Sequence, residues 1–324
     1  MHSIEYLQEK IRQAIENETF TGKPDELYQP IRYILSIGGK RMRPLLTLLA
    51  CDLFGGDIEE AIYPAIALEL FHNFTLIHDD IMDKAPLRRG KETISKKWNE
   101  NIAILSGDTI LALAYDHLIN INKNILTDVI KVFNKTAMEV CEGQQFDMNF
   151  ETQPDVSISD YLNMIRLKTA VLFGASLKIG AIIAETNAEN LEHIYLFGVN
   201  MGIAFQLMDD YLDVFGDAKK FGKKTGGDII TNKKTYLYLK AFETADDNTC
   251  QKLSMLFNNP GIDNRSKVTA IKKIFLELDI DKATEKEMNK YYELAMLSLD
   301  SINEEESRKE ILRSFAKKLI KRDH

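Results

Sequence analysis

An all-α fold is what this chain of 324 residues predicts, and three observations carry the prediction. Apolar residues make up 45% of the sequence and recur at three- and four-residue spacing between cap-like residues. Proline, at 7, and glycine, at 17, are too few for many short strands joined by tight turns. No run of alternating apolar and polar residues competes with the helical pattern.

Taken in order, Ser3 caps a first helix with Ile4, Leu7, Ile11 and Ile15 on one face. Pro24 opens a second, which carries Leu27, Ile31, Ile34 and Leu35 and stops at Gly38-Gly39. Pro44 opens a third, ended by Gly55-Gly56. Asp57 with Glu60 resembles a capping box, and a long helix with a kink at Pro64 should run from there to about Asp83. A basic turn, Arg88-Arg89-Gly90-Lys91, follows Pro86. Helical spacing resumes over 102–121, 125–150, 159–184, 188–215, 234–242, 248–257, 263–278 and 284–321. The breaks at Gln153–Ser157 and at the Gly/Lys-rich loop Gly216–Lys234 are too short for linkers, so residues 1–324 read as a single domain.

The formal net charge of −8 gives general nucleic-acid binding no electrostatic support, so any basic site must be local. Cys51, Cys141 and Cys250 are odd in number, far apart and without zinc spacing, which predicts buried thiols in a reducing compartment. The N-terminal MHSIEYLQEKIRQ is amphipathic and lacks an apolar signal core, and no apolar run approaches the roughly 20 residues that span a bilayer. A cytoplasmic protein without a transmembrane segment is expected.

The strongest chemical signal is Asp79-Asp80-Ile81-Met82-Asp83 at the end of the apolar stretch Phe74-Thr75-Leu76-Ile77. On a helix, Asp79 and Asp83 project from one face, where they repel each other and oppose the helix dipole. Such acids call for a cation. The pattern returns at Asp209-Asp210-Tyr211-Leu212-Asp213, again closing an apolar helix. One DDxxD alone is often a solvated helix end; at this aspartate content a random copy is expected about 0.1 times, and two copies are far rarer. Hard oxygen donors without neighbouring His or Cys favour magnesium, which shares its shell with phosphates; twelve-residue calcium loops are absent. A diphosphate bridged by metals is the implied ligand.

Four basic groups could serve the remaining phosphate oxygens. They are Gly38–Pro44 (GGKRMRP), Arg88-Arg89-Gly90, Lys168-Thr169, and the loop Phe221–Asp228 with Lys233. Each alone reads as a solvated or dipole-complementing helix end. Together with two acidic clusters they suggest two diphosphates. None holds a nucleotide P-loop pattern.

With GGKRMRP, LFHNFTLIHDDIMDKAPLRRG, Lys168-Thr169 and Gln206–Asp213 in this order, the sequence from about Tyr28 to Lys240 resembles the trans-isoprenyl diphosphate synthases, or polyprenyl synthetases. The resemblance implies the isoprenoid synthase type I fold, a single large helical bundle around a central cavity. It also implies a homodimer, packed through helices that include the 102–121 stretch, and about three magnesium ions per site. By the same resemblance, Lys40, Arg43, His72 and Arg89 hold isopentenyl diphosphate. Asp79, Asp83 and Asp209 coordinate magnesium, supported by Asp80, Asp210 and Asp213. Arg88, Lys168, Lys223 and Lys233 bind the allylic diphosphate, and Thr169 and Gln206 place oxygens near the developing carbocation. One residue is added in the Gly/Lys loop relative to the family pattern, which leaves Lys223 and Lys224 as alternatives. His78 has no match to a family role and is expected to be structural.

The implied reaction is ionisation of the allylic diphosphate, attack by the isopentenyl double bond, and proton loss to the departing diphosphate. Phe74 and Phe71, one and two turns before Asp79, would floor the growing chain. An aromatic floor resembles the geranylgeranyl and farnesyl synthases, and the absence of an insertion in the first motif leans toward geranylgeranyl. One alternative is a class I terpene synthase or head-to-head condensing enzyme of the same fold, against which GGKRMRP and Arg88-Arg89 argue; a rival from another class is a non-catalytic regulatory subunit of a prenyl synthase, against which the intact acids and basic groups argue.

Overall fold

The computed structural model describes residues 2–216, 225–259 and 261–320. Helix α1 (Ile4–Asn17) is capped by Ser3 Oγ, which accepts the Tyr6 N–H at 3.2 Å. α2 (Asp25–Ser36) starts directly after Pro24, and α3 (Met42–Leu53) takes Pro44 in its first turn, where a missing N–H breaks no helical bond. α4 (Ile58–Met82) runs continuously through Pro64, so the expected kink does not interrupt it. Asp57 Oδ1 caps α4 by accepting the Glu59 N–H. The short α5 (Ile94–Lys97), α6 (Glu100–Leu118) and α7 (Lys123–Thr152) follow.

Next come α8 (Ile158–Ile165), α9 (Val171–Ile183) and α10 (Ala188–Phe215). Beyond these lie α11 (Gly227–Ile230), α12 (Tyr236–Thr244), α13 (Asp247–Asn258), α14 (Asn264–Glu277), α15 (Ile280–Asp300) and α16 (Glu306–Ile320).

Three features differ from the sequence reading. The stretch 159–184 is not one helix: α8 and α9 are joined by a π turn, Arg166–Ala170. The reciprocal capping box lies at Ser157 and Asp160, where the chain enters α8, rather than at Asp57. The last long helix divides after Asp300, where Ile302 turns inward and is only 2% exposed. Among the described residues, strand is confined to a hairpin, β1 (Leu87–Arg88) with β2 (Lys91–Glu92). Its two turn residues, Arg89 (φ 52°) and Gly90 (φ 76°), both take positive φ, as a tight two-residue hairpin turn requires.

The chain forms two compact units. The first comprises Met1–Asn134, Ala175–Ile194 and Glu304–Ile311. Within it α4 packs against α1, α3, α5 and α6. It buries Ala61, Ala65, Ala67, Leu68, Leu70 and Phe71 on several faces, the pattern of a helix enclosed by others. The second comprises Lys135–Gly174, Tyr195–Asn303 and Leu312–His324. Part of its core is Val214, Ile229, Leu237, Leu253, Phe257, Ile271 and Phe275. Lys234 Nζ donates to the Phe150 carbonyl (2.8 Å) and to that of Gln153, closing the C-terminus of α7.

The α2–α3 connection turns on Arg41, in left-handed conformation at φ 45°. Its guanidinium pairs with the buried Glu69 of α4 and donates to the Leu35 carbonyl at 2.6 Å. Glu69 Oε1 also accepts from Asn73 Nδ2 at 3.1 Å. Arg41→Met should therefore strand a buried carboxylate and cost about 3–5 kcal/mol, read as a lowered denaturant midpoint.

Candidate active site

In the first unit, positive charge collects around His72 on α4. Arg43, Arg89, Arg88 and Arg41 all act on this imidazole, and with its desolvation, the largest cause, they hold its pKa well below the usual histidine range. His72 is therefore neutral at physiological pH. Burial and the neighbouring Arg89 push even the Arg43 guanidinium down to about 10, against the pull of Glu69. Arg89 lies over Gly39 and donates to the Gly38 carbonyl. A Cβ on Gly39 would meet that guanidinium at 2.5 Å, so the glycine clears the arginine's path.

The counter-charges in this group are Glu69, paired with Arg41, and Asp80, gripped by Arg88 through Nε (2.9 Å) and Nη2 (2.8 Å). Guanidiniums crowded this closely around a buried imidazole favour an anion beside them. Lys40 adjoins the group in sequence.

Asp79 and Asp83 occupy the last turn of α4, where the Asp83 N–H donates to the Asp79 carbonyl at 2.8 Å. Asp80, between them, is 3% exposed and turned to Arg88; burial raises its carboxyl pKa, and Arg88 opposes the rise. His78 is occupied within the fold. Its Nδ1 meets the Phe74 carbonyl at 3.1 Å, and its ring lies against Gly107 of α6. Earlier on α4, the Phe74 and Phe71 rings lie tilted to each other with centroids 5.8 Å apart, and Phe71 meets Phe133 of α7 edge-on at 5.3 Å.

In the second unit the π turn presents Lys168 and Thr169. It is pressed between two glycines. A Cβ on Gly143 of α7 would come within 2.2 Å of the Lys168 nitrogen, and one on Gly202 of α10 within 2.6 Å of the Ala170 Cα. Lys168 Nζ donates to Asp147 Oδ2 at 2.6 Å, and Lys233 Nζ lies 3.6 Å from the same oxygen. The two ammonium groups hold the Asp147 carboxyl below its ordinary pKa in spite of burial.

Thr169 Oγ1 is 3.3 Å from Gln206 Oε1, and Gln206 Nε2 donates to Asp210 Oδ1 at 3.0 Å. The Tyr161 hydroxyl donates to Asp210 Oδ2. Burial and the nearby Asp228 push the Asp210 carboxyl up to about 8, while the two donated hydrogen bonds favour its ionised form. Asp213 is spent on the backbone: its two oxygens accept the Gly227 (3.1 Å) and Asp228 (3.0 Å) N–H groups at the start of α11. Asp209 shares the last turns of α10 with these residues. Lys223 and Lys224 lie outside the described residues.

The structure thus groups Arg43, His72, Arg88 and Arg89 with Asp80, and groups Lys168 and Lys233 about Asp147. Sequence reasoning overlooked Asp147, Tyr161 and Glu69. A glycine inside a helix, Gly143, was the signal that something approaches α7 closely at this point. Tyr161 and Glu69 carry no comparable mark. Gly143→Ala should displace the π turn, cost about 1–3 kcal/mol in overpacking, and lower turnover more than a surface Ala substitution on α7. Thermal melts and single-substrate kinetics would check this.

The chain matches the polyprenyl synthetase family model over residues 24–275. The short chain isoprenyl diphosphate synthase of Methanocaldococcus jannaschii is 41% identical over 264 residues, covering 81% of this chain and 80% of that protein. The geranylgeranyl pyrophosphate synthase of Geoglobus acetivorans is 37% identical over 319 residues, 98% of this chain and 96% of its own. A crystal structure of a geranylgeranyl pyrophosphate synthase superposes with a TM-score of 0.96 at 44% identity, over 100% of both chains.

Proposed function

This chain belongs to the polyprenyl synthetase family, and we propose that it condenses an allylic diphosphate with isopentenyl diphosphate head to tail. It is a prenyltransferase of the all-α isoprenoid synthase fold. The observation that carries the substrate reading is the arginine group around His72, on the same helix that ends in Asp79 and Asp83. Guanidiniums gathered beside a carboxylate pair suit a diphosphate far better than a neutral or cationic ligand.

Members of this family depend on magnesium, and the acids here fit that ion. Asp79, Asp83 and Asp209 offer only hard oxygen donors, with Asp80, Asp210 and Asp213 supporting them. Among the described residues no group of three or more His, Cys, Asp or Glu forms a protein-only cage. Magnesium requires none, because it keeps waters and shares its shell with substrate phosphates. About three ions per site, held by those acids, would supply positive charge to the leaving diphosphate.

The chain's own residues then have distinct tasks. Lys40, Arg43, His72 and Arg89 hold isopentenyl diphosphate, and a neutral His72 serves as a hydrogen-bonding group there. Arg88, Lys168 and Lys233, with Lys223 outside the described residues, bind the allylic diphosphate. The oxygens of Thr169 and Gln206 steady the cation while the second substrate attacks. Phe74 and Phe71 close the path of the growing chain. The product is a short all-trans prenyl diphosphate, geranylgeranyl rather than farnesyl, a choice supported by this aromatic pair and by the relatives' names.

The two units work as one catalytic domain over residues 1–324, a reading supported by a family match that crosses both. Among the described residues no helix is long and apolar enough to cross a membrane. The three cysteines are free thiols, in keeping with a cytoplasmic location; Cys51 is buried as expected, but Cys141 is exposed and Cys250 half-buried. A homodimer is supported by the bare apolar side chains of α6, where Leu105 is 58% exposed and Ile104 41%.

Purified protein given labelled isopentenyl diphosphate, each allylic primer and magnesium should yield geranylgeranyl diphosphate; chelation should abolish the product. Failure with every primer would sink the reading. Asp79→Ala should cut kcat on the order of 100-fold or more. Phe74→Ala should shift the product to longer chains by chromatography, and an unchanged distribution would remove Phe74 from the floor.

A further inference from the structure

We infer that Tyr33, a residue outside every acidic and basic motif, is a positioning residue for isopentenyl diphosphate: its hydroxyl straps the hairpin that carries Arg89 to the helix that leads into Lys40 and Arg43. The inference rests on the reading above that Lys40, Arg43 and Arg89 hold that substrate. Every link of it lies within the first unit.

The three ligand residues come from two separate stretches of chain. Lys40 and Arg43 follow α2 directly, whereas Arg89 stands in the turn of the β1–β2 hairpin. Two strands of two residues each are too short to hold a fixed place by themselves. Three anchors hold them. At the neck, the fully buried Thr93 donates its N–H to the Pro86 carbonyl at 3.2 Å and its hydroxyl to that of Ala85 at 2.7 Å. At the tip, Arg89 donates to the Gly38 carbonyl, just past α2. Between the two, the Tyr33 hydroxyl on α2 donates to the Glu92 carbonyl of β2 at 2.8 Å, across 59 positions of sequence.

These anchors stop being equivalent once an anion binds. The neck ties the hairpin to the chain that leaves α4 and lets its far end swing. The tip uses the guanidinium itself, so phosphate oxygens compete for the group that forms it. Of the three, only the Tyr33 bond joins the hairpin backbone to α2 without spending a ligand residue. It keeps Arg89 beside Lys40 and Arg43 while the guanidinium turns to phosphate, which lowers the ordering cost of binding. The ring is held in turn: Lys97 Nζ lies 3.9 Å from its centroid, and Trp98 meets it edge-on at 5.3 Å. Tyr33 is half-buried and Glu92 exposed, so water can replace the bond, and its loss falls on binding rather than on folding. Arg88, on the same hairpin, has a separate hold on Asp80 at 2.8 and 2.9 Å, so the allylic diphosphate feels the change least.

The test is Tyr33→Phe in the full-length protein with magnesium and both substrates. KM for isopentenyl diphosphate should rise about three- to tenfold, the worth of one hydrogen bond. KM for the allylic diphosphate and kcat should stay within about twofold of wild type. Calorimetric titration of isopentenyl diphosphate without a primer should show the same loss of affinity. In an Arg89→Gln background the substitution should cost much less, because the strap then has no guanidinium to place. A wild-type KM, equal rises for both substrates, a loss confined to kcat, or the same fold-loss with and without Arg89 would overturn the inference. If Tyr33→Phe does not fold, Lys97→Met, which only loosens the ring, decides. A smaller rise confined to KM for isopentenyl diphosphate supports the strap, and an unchanged KM refutes it. Unaltered protein that fails to transfer prenyl groups would instead refute the proposed function, so the two failures are distinguishable.

Discussion

Holding like charges together before any ligand arrives is the constraint on which this structure depends. Guanidiniums at 41, 43, 88 and 89 crowd one histidine, and two ammonium groups share one carboxylate at Asp147. Left alone, such groups would repel and spread into solvent. Internal counter-ions prevent this: Glu69 for Arg41, Asp80 for Arg88, and Asp147 for Lys168 and Lys233. Each is at least half-buried, so its field is little screened.

The acidic motifs divide their labour in the same way. In the first, Asp80 turns inward to Arg88, while Asp79 and Asp83 stay on the last turn of α4. In the second, Asp210 turns inward to Tyr161 and Gln206, and Asp213 fastens the backbone at the start of α11. Asp80 in the first motif, and Asp210 and Asp213 in the second, are thus committed to the architecture. Lys233 follows α11 closely, so the Asp213 cap also governs where that lysine meets Asp147.

Backbone devices complete the arrangement. The π turn at Arg166–Ala170 inserts one residue more than an α-helix would, which rotates Lys168 and Thr169 relative to the helix that follows. Gly143 and Gly202 allow neighbouring helices close enough to hold that turn rigid. The Arg89-Gly90 hairpin turn does similar service in the first unit, directing Arg88 to Asp80 and Arg89 over Gly39. Cations on rigid backbone lose little freedom when an anion binds them.

The sequence by itself determined the all-α class and most helix limits, because caps, prolines and apolar spacing act locally. It also determined the family, through acids and arginines whose order is a property of the chain alone. What only the tertiary structure decided is which charge meets which. Glu69 sits 28 positions from Arg41, Asp147 21 from Lys168, and Tyr161 49 from Asp210. No local pattern encodes such pairs. The π turn was hidden for a related reason: its residues have ordinary helix propensity, and it is the close approach of Gly143 and Gly202 that accompanies the extra residue in the turn.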